Sequence, residues 1–304
     1  MTNDFPDPTR IETACMDDGA EILLRRYANE DKPRLAITHG NGFAVDGYRQ
    51  FWEPLLSDFD VVLYDMRNHG RNRSAGGDGH NYRQFARDVA TVRHEIDRAF
   101  GARPVTGVFH SMSSRSAMKQ AAEETAAWDA LVLFDPPNVP PRGHPSYEPM
   151  KVFEEKLIQY SLNRPDRFAS VEEAIAVYSE NKGVRSWVSG AAAEMARAII
   201  RPCDEPGAAF ELSCRGEFEA TIYLGALALD LWPEADTFGC PSILIGADPE
   251  KVPNAPTAKA NKALADEGGY RYVSIAGTGH MLQLERPEEC RAAMLGFLRE
   301  IGFS

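Results

Sequence analysis

Short, continuously apolar runs alternate along the chain with longer stretches in which apolar positions recur every three or four residues. A continuous run bounded by turn residues suits a strand buried on both faces, and the longer spacing suits a helix packed on it. The runs EILLRRYA (21–28), RLAITH (34–39), DVVLYD (60–65), PVTGVF (104–109), ALVLFD (130–135), SILIGA (242–247) and YRYVSIA (270–276) are therefore predicted strands. Helical spacing covers 48–57, 82–100, 114–127, 257–267 and 287–301, the last opened by Pro287, where a missing N–H breaks no helix hydrogen bond. This alternation predicts an α/β protein with a mostly parallel central sheet and helices on both faces.

The alternation stops after Asp135 and resumes only near Ser242. The intervening segment opens with PPNVPPRGHPSYEP, which cannot continue a helix or a central strand. It goes on through helical stretches near 147–160, 171–180, 187–200 and 215–229, with aromatics spread from Tyr147 to Trp232. The expectation is a core domain made of 1–135 and 236–304, and a helical cap of 136–235. Most of the cap's aromatics are expected in its own core and a minority facing a ligand. No internal repeat is visible.

The 304 residues, 43% hydrophobic and 26% charged, have an ordinary globular composition, which excludes a wholly disordered or fibrous chain. A formal charge of −12 disfavours nucleic acid and anionic lipid as partners, because both are bound by neutralising phosphate. A small-molecule substrate is the expected partner, and a homodimer is compatible with the sequence. The opening MTNDFPDPTR lacks the basic and apolar regions of a secretory signal, and no apolar run reaches bilayer length, so the expected location is the cytoplasm. Five scattered cysteines read as reduced thiols. The seven histidines have no metal-ligand spacing and there is no phosphate loop of the G-x-x-x-x-G-K type, so neither a metal nor another cofactor is expected.

Candidate chemistry centres on FHSMS, where a strand runs into Ser111 and a helix follows. A serine at a helix start is ordinarily an N-cap. A sharp strand-to-helix turn would instead lift its hydroxyl clear of the sheet, near backbone N–H groups that favour developing negative charge. An activated serine needs a base, and the base needs a carboxylate to hold its tautomer. His280, in AGTGHM after a strand, and Asp248, directly after SILIGA, follow Ser111 in chain order at strand ends where such sheets place their sites. In HGNGF (39–43), two glycines let the backbone approach closely, and the N–H groups of Asn41 and Met112 are the candidate oxyanion donors. Ser113 and Ser114 lie a turn into the helix and are weaker candidates.

HGNGF, YDMRNHGRN (64–72) and FHSMS, followed by the Asp248 and His280 segments, resemble in order the oxyanion loop, the Asp-x-Arg-x-His-Gly turn, the nucleophile elbow and the acid and base of serine-type α/β-hydrolases. The resemblance spans about residues 20–302. It implies an esterase- or lipase-like serine hydrolase with an acyl-serine intermediate and a helical lid over 136–235. It also implies that Asp65, Arg67 and His69 brace the oxyanion loop, that His110 supports the elbow, and that Asp135 is an alternative acid, since some relatives place it after that strand. A serine at 111 argues against dehalogenase or epoxide hydrolase chemistry, where a carboxylate attacks. Phe109 departs from the pattern, because the position two before the serine is usually small. That departure keeps open a ligand receptor with weak or no turnover on the same fold, and an acyltransferase is a third reading.

Overall fold

The computed structural model describes residues 5–203, 206–251 and 255–303. Strands β1 (Arg10–Cys15), β2 (Glu21–Tyr27), β3 (Arg34–Ile37), β4 (Asp60–Tyr64), β5 (Val105–His110) and β6 (Ala130–Phe134) precede the long intervening segment, and β10 (Ser242–Gly246) and β11 (Arg271–Ser274) follow it. Inside that segment lie β7 (Arg167–Phe168), β8 (Ile200–Pro202) and β9 (Phe210–Leu212). The main sheet has eight strands in the order β1-β2-β4-β3-β5-β6-β10-β11, and the three short strands form a separate sheet. β2 is antiparallel to both its neighbours, whereas every pairing from β4 to β11 is parallel.

The core helices are α1 (Arg49–Trp52), α2 (Tyr82–Phe100) and α3 (Met112–Glu123) before the segment. Within it lie α4 (Tyr147–Asn163), α5 (Val171–Ser179), α6 (Ala191–Ala198) and α7 (Gly216–Ala226), and after it come α8 (Pro256–Gly268), α9 (Leu282–Glu285) and α10 (Pro287–Glu300). All seven expected strands are present near their expected bounds. β1 escaped the reading because Ala14 is its one buried residue, so it carries no apolar run. β7, β8 and β9 are two or three residues each, too short to show a period.

Both faces of the central strands are buried, which explains the continuous apolar runs. Along β6, Ala130, Val132 and Phe134 join the core shared with α1 and α10, while Leu131 and Leu133 join the core shared with α2, α3 and α8. Looping out the segment leaves β6 and β10 as direct neighbours, with Phe134 opposite Ile245. No described residue of 136–235 adds a strand to the main sheet. The described residues also contain no helix long and apolar enough to cross a membrane. The carboxyl ends of β5, β6 and β10 thus share one edge, which carries the candidate site.

Candidate active site

β5 ends at His110 and α3 begins at Met112, so Ser111 alone makes the turn, with φ 55° and ψ −118°. A non-glycine residue in this region costs on the order of 1–3 kcal/mol, which surrounding contacts must offset. The Ser111 N–H donates to the Phe134 carbonyl at 2.9 Å. The Ser113 hydroxyl clamps the turn, accepting from the His110 N–H at 3.0 Å and donating to the His110 carbonyl at 2.9 Å. Ser114 donates to the Phe134 carbonyl at 3.2 Å. Both hydroxyls are therefore occupied in holding the elbow.

His280 Nε2 lies 2.9 Å from Ser111 Oγ, and its Nδ1 lies 2.6 Å from Asp135 Oδ2. A proton on Nδ1 donates to the carboxylate and leaves Nε2 free to accept from the serine hydroxyl. Asp135 is fully buried, and its Oδ1 accepts from the Ala247 N–H at 2.9 Å and the Asn261 amide at 2.8 Å. Burial alone would raise its pKa, yet the hydrogen bonds and charge of His280, with those of Thr257 and Ala247, hold it below the ordinary value.

The expected acid, Asp248, is not the carboxylate that meets His280. Its Oδ2 accepts from the Gly277 N–H at 2.7 Å, in the loop that carries His280, and its Oδ1 accepts from the Glu250 N–H at 2.8 Å, in its own loop, so both oxygens are occupied. Those bonds hold its pKa below the ordinary value. Asp135 follows the apolar run ALVLF and Asp248 follows SILIGA, so both close an apolar strand and no local signal separates them.

The loop expected to hold the oxyanion packs directly on the elbow, since a Cβ added to Gly40 would sit 3.1 Å from Ser111 Cβ. Among the described residues, neither the Asn41 nor the Met112 backbone N–H donates to a protein acceptor. The Asn41 side chain instead anchors the loop, donating to the Glu219 carbonyl at 2.9 Å. The turn after β4 supports it from below: Gly42 N–H donates to His69 Nε2 at 3.0 Å, Met66 N–H to His39 Nε2 at 3.0 Å, and Val45 N–H to Asp65 at 2.8 Å. Arg67 braces the turn itself through Asp88 and Asp18. His39 and His69 can accept these bonds because they are neutral, burial pushing His39 down to about 4 and His69 well below its ordinary value.

His110 ties the elbow to the histidine loop. Its Nδ1 accepts from the Tyr48 hydroxyl at 2.7 Å and its Nε2 donates to the His280 carbonyl at 3.0 Å. Burial holds its pKa down to about 3, so the ring stays neutral and this pattern persists.

A cavity of about 430 Å³ opens over Ser111 and His280. Asn41, Phe43 and Met281 of the core form part of its wall, and residues of the intervening segment, among them Phe153, Tyr160, Tyr178, Trp187 and Tyr223, form most of the rest. Half of that segment's ten aromatics thus line the cavity, more than the expected minority. Two buried ion pairs reinforce it. Arg164 meets Glu219 at 2.5 Å, and Arg115 of α3 meets Glu154 of α4 at 2.6 Å while also donating to the Tyr82 hydroxyl. Their partners are 55 and 39 residues apart, so no local pattern could have flagged them.

Phe109 does not intrude. Its ring packs edge-on against Trp128 at 5.3 Å and folds back over Gly107, where an added Cβ would overlap it. Glycine at 107 makes the room that is usually made by a small residue at 109. Among the described residues no group of three or more His, Cys, Asp or Glu is placed to hold a metal ion.

No curated protein matches the chain. Among solved structures, the chain is similar to an E-2-(acetamidomethylene)succinate hydrolase, with a TM-score of 0.75 and 17% identity over 95% of this chain and 100% of that one. It is also similar to the thioesterase domain from the curacin biosynthetic pathway, with a TM-score of 0.68 and 18% identity over 94% and 100% of the two chains. The enol-lactonase of Burkholderia xenovorans LB400 gives a TM-score of 0.62 and 18% identity over 95% and 100%. The model of the alpha/beta hydrolase family matches residues 35–293, from the strand before the HGNGF loop to the last helix. With that match over most of its length and the eight-stranded sheet beneath it, the chain belongs to the alpha/beta hydrolase family.

Proposed function

We propose that the protein is a serine hydrolase that cleaves an ester, or a related acyl bond, of a small and partly apolar substrate. The observation that carries this reading is the continuous relay Asp135–His280–Ser111, with bonds of 2.6 and 2.9 Å, ending on a serine held in a strained turn. Ser111 Oγ attacks the acyl carbon as its proton passes to His280 Nε2, and Asp135 stabilises the imidazolium. The carbonyl oxygen becomes an oxyanion facing the Asn41 and Met112 N–H groups. His280 then gives its proton to the leaving oxygen as the carbon–oxygen bond breaks, leaving an acyl-serine. Water attacks that ester, its proton passing to His280 and then to Ser111 Oγ as the carboxylic acid departs.

Residues 136–235 serve as the lid in this reading, and its aromatic wall is what favours an apolar acyl or alcohol group. The receptor alternative rested on Phe109, whose ring packs away from the cavity, so that argument falls away. An acyltransferase would use the same acyl-serine with an alcohol in place of water. Labelling by a fluorophosphonate probe tests the nucleophile without knowledge of the substrate. The wild type is expected to label and Ser111→Ala not to; equal labelling of both would overturn the assignment.

A further inference from the structure

A second cavity, of about 600 Å³, shares no lining residue with the one over Ser111. It lies on the seam between the turn after β4, at 70–74, and the corner from α6 into β8, at 197–202. Four arginines line it, Arg71, Arg73, Arg197 and Arg201, against a single carboxylate, Asp46. That concentration of one sign stands out in a chain of net charge −12.

The carboxylates in reach do not neutralise it. Asp46 divides its oxygens between Arg71 at 2.7 Å and the buried Arg25 at 2.5 Å beneath the cavity floor. Arg201 is matched by Glu211 from outside the cavity, at 2.7 Å. Arg73 and Arg197 come from opposite sides of the seam, and neither has a carboxylate in ion-pair contact among the described residues, although Arg197 feels the charge of Glu194 one helical turn away. Ser74 and Asn72 add neutral polar groups to the lining, while Phe5, Ile200 and Pro202 give part of the wall an apolar surface.

Several guanidinium groups around one concavity suit an anion with more than one charge and several acceptor oxygens, which a single carboxylate cannot provide. We propose that this seam is a binding site for a compact diphosphate, either free or carried on an organic group. The phosphates sit between Arg73 and Arg197 with Arg71 behind them, and an organic group lies against Phe5, Ile200 and Pro202. The bound anion bridges the core and the 136–235 segment, so it raises resistance to thermal unfolding. Because the attraction is between exposed guanidinium groups and phosphate charge, binding weakens with salt.

The test is calorimetric titration at low ionic strength with inorganic pyrophosphate and, separately, with adenosine 5′-diphosphate, on the wild type, on Arg73→Ala/Arg197→Ala and on Ser111→Ala. Saturable binding of either anion is expected, weakened on the order of tenfold or more in the arginine double variant and unchanged in Ser111→Ala. Tighter binding of the nucleotide assigns the diphosphate to an organic ligand, and equal or tighter binding of pyrophosphate assigns it to the free anion. The substituted arginines are exposed, and thermal melts check that the double variant is folded. Absence of saturable binding, or equal binding by the double variant, overturns the site. Loss of binding in Ser111→Ala would instead place the anion over the serine and overturn it as well, whatever the outcome of fluorophosphonate labelling.

Discussion

Strands β6 and β10 lie side by side, and an aspartate follows each, yet the two carboxylates have opposite surroundings. Asp135 follows β6 without a gap, is fully buried, and receives hydrogen bonds from His280, Ala247 and Asn261. Asp248 stands one residue further from its strand, and both its oxygens are taken by loop N–H groups. In our reading the first orients a proton acceptor in a water-poor setting, where charge interactions are strong. The second shapes the loop on which that acceptor rides. One strand position decides which role each residue has.

The comparison breaks most readily at Asp135. In our reading, Asp135→Asn should lower ester turnover by about 10⁴-fold with the fold retained by circular dichroism, because the wrong histidine tautomer is then favoured; a loss below tenfold would return the acid to another residue. Next in size is Phe109→Gly, which removes a buried ring from the face that β5 shares with α3. It should cost about 3–5 kcal/mol in denaturant unfolding while changing turnover by no more than about tenfold. A large gain in turnover would show that the ring obstructs the site.

The buried side of the comparison also predicts a pH response. His39, His80 and His110 have folded pKa values lowered by burial to about 4, 2 and 3. The unfolded chain binds protons at these groups near pH 6.5, so stability is full above that pH and falls as pH drops toward the folded values. The Asp135 pKa is also lowered, so its contribution holds above the ordinary carboxylate value and is lost only at still lower pH. The urea midpoint should therefore decline steadily from pH 7 to pH 4.5, and a flat profile would contradict neutral, buried rings. The smallest effect belongs to Asp248→Asn, which keeps the side-chain shape and should alter turnover by less than about tenfold. A loss comparable to that of Asp135→Asn would erase the distinction between the two strand ends.

That Ser111, His280 and the HGNGF loop would meet at one site was legible because each sits at a junction with its own local signature. PVTGVF running into HSMSS marks a strand-to-helix turn, and HGNGF carries the glycine that lets backbone meet Ser111. Histidine 280 follows the last strand within a glycine-containing loop. The acid has no such signature, since both aspartates satisfy the same local rule. The same holds for Arg115 with Glu154 and for Tyr48 with His110, pairs that meet only after folding.

The pattern of apolar residues by itself determined the α/β class, seven of the eight strands of the main sheet and the long interruption after β6, because burial on both faces of an inner strand leaves a short continuous run bounded by turn residues. Chain order likewise determined that a nucleophile, an acid and a base could converge on one edge, because parallel strands carry their carboxyl ends to the same side. Only the tertiary structure decided which carboxylate meets His280 and how Phe109 is accommodated. Those outcomes depend on distances of a few ångströms between residues far apart in sequence, where one strand's displacement or one glycine's missing Cβ changes the partner.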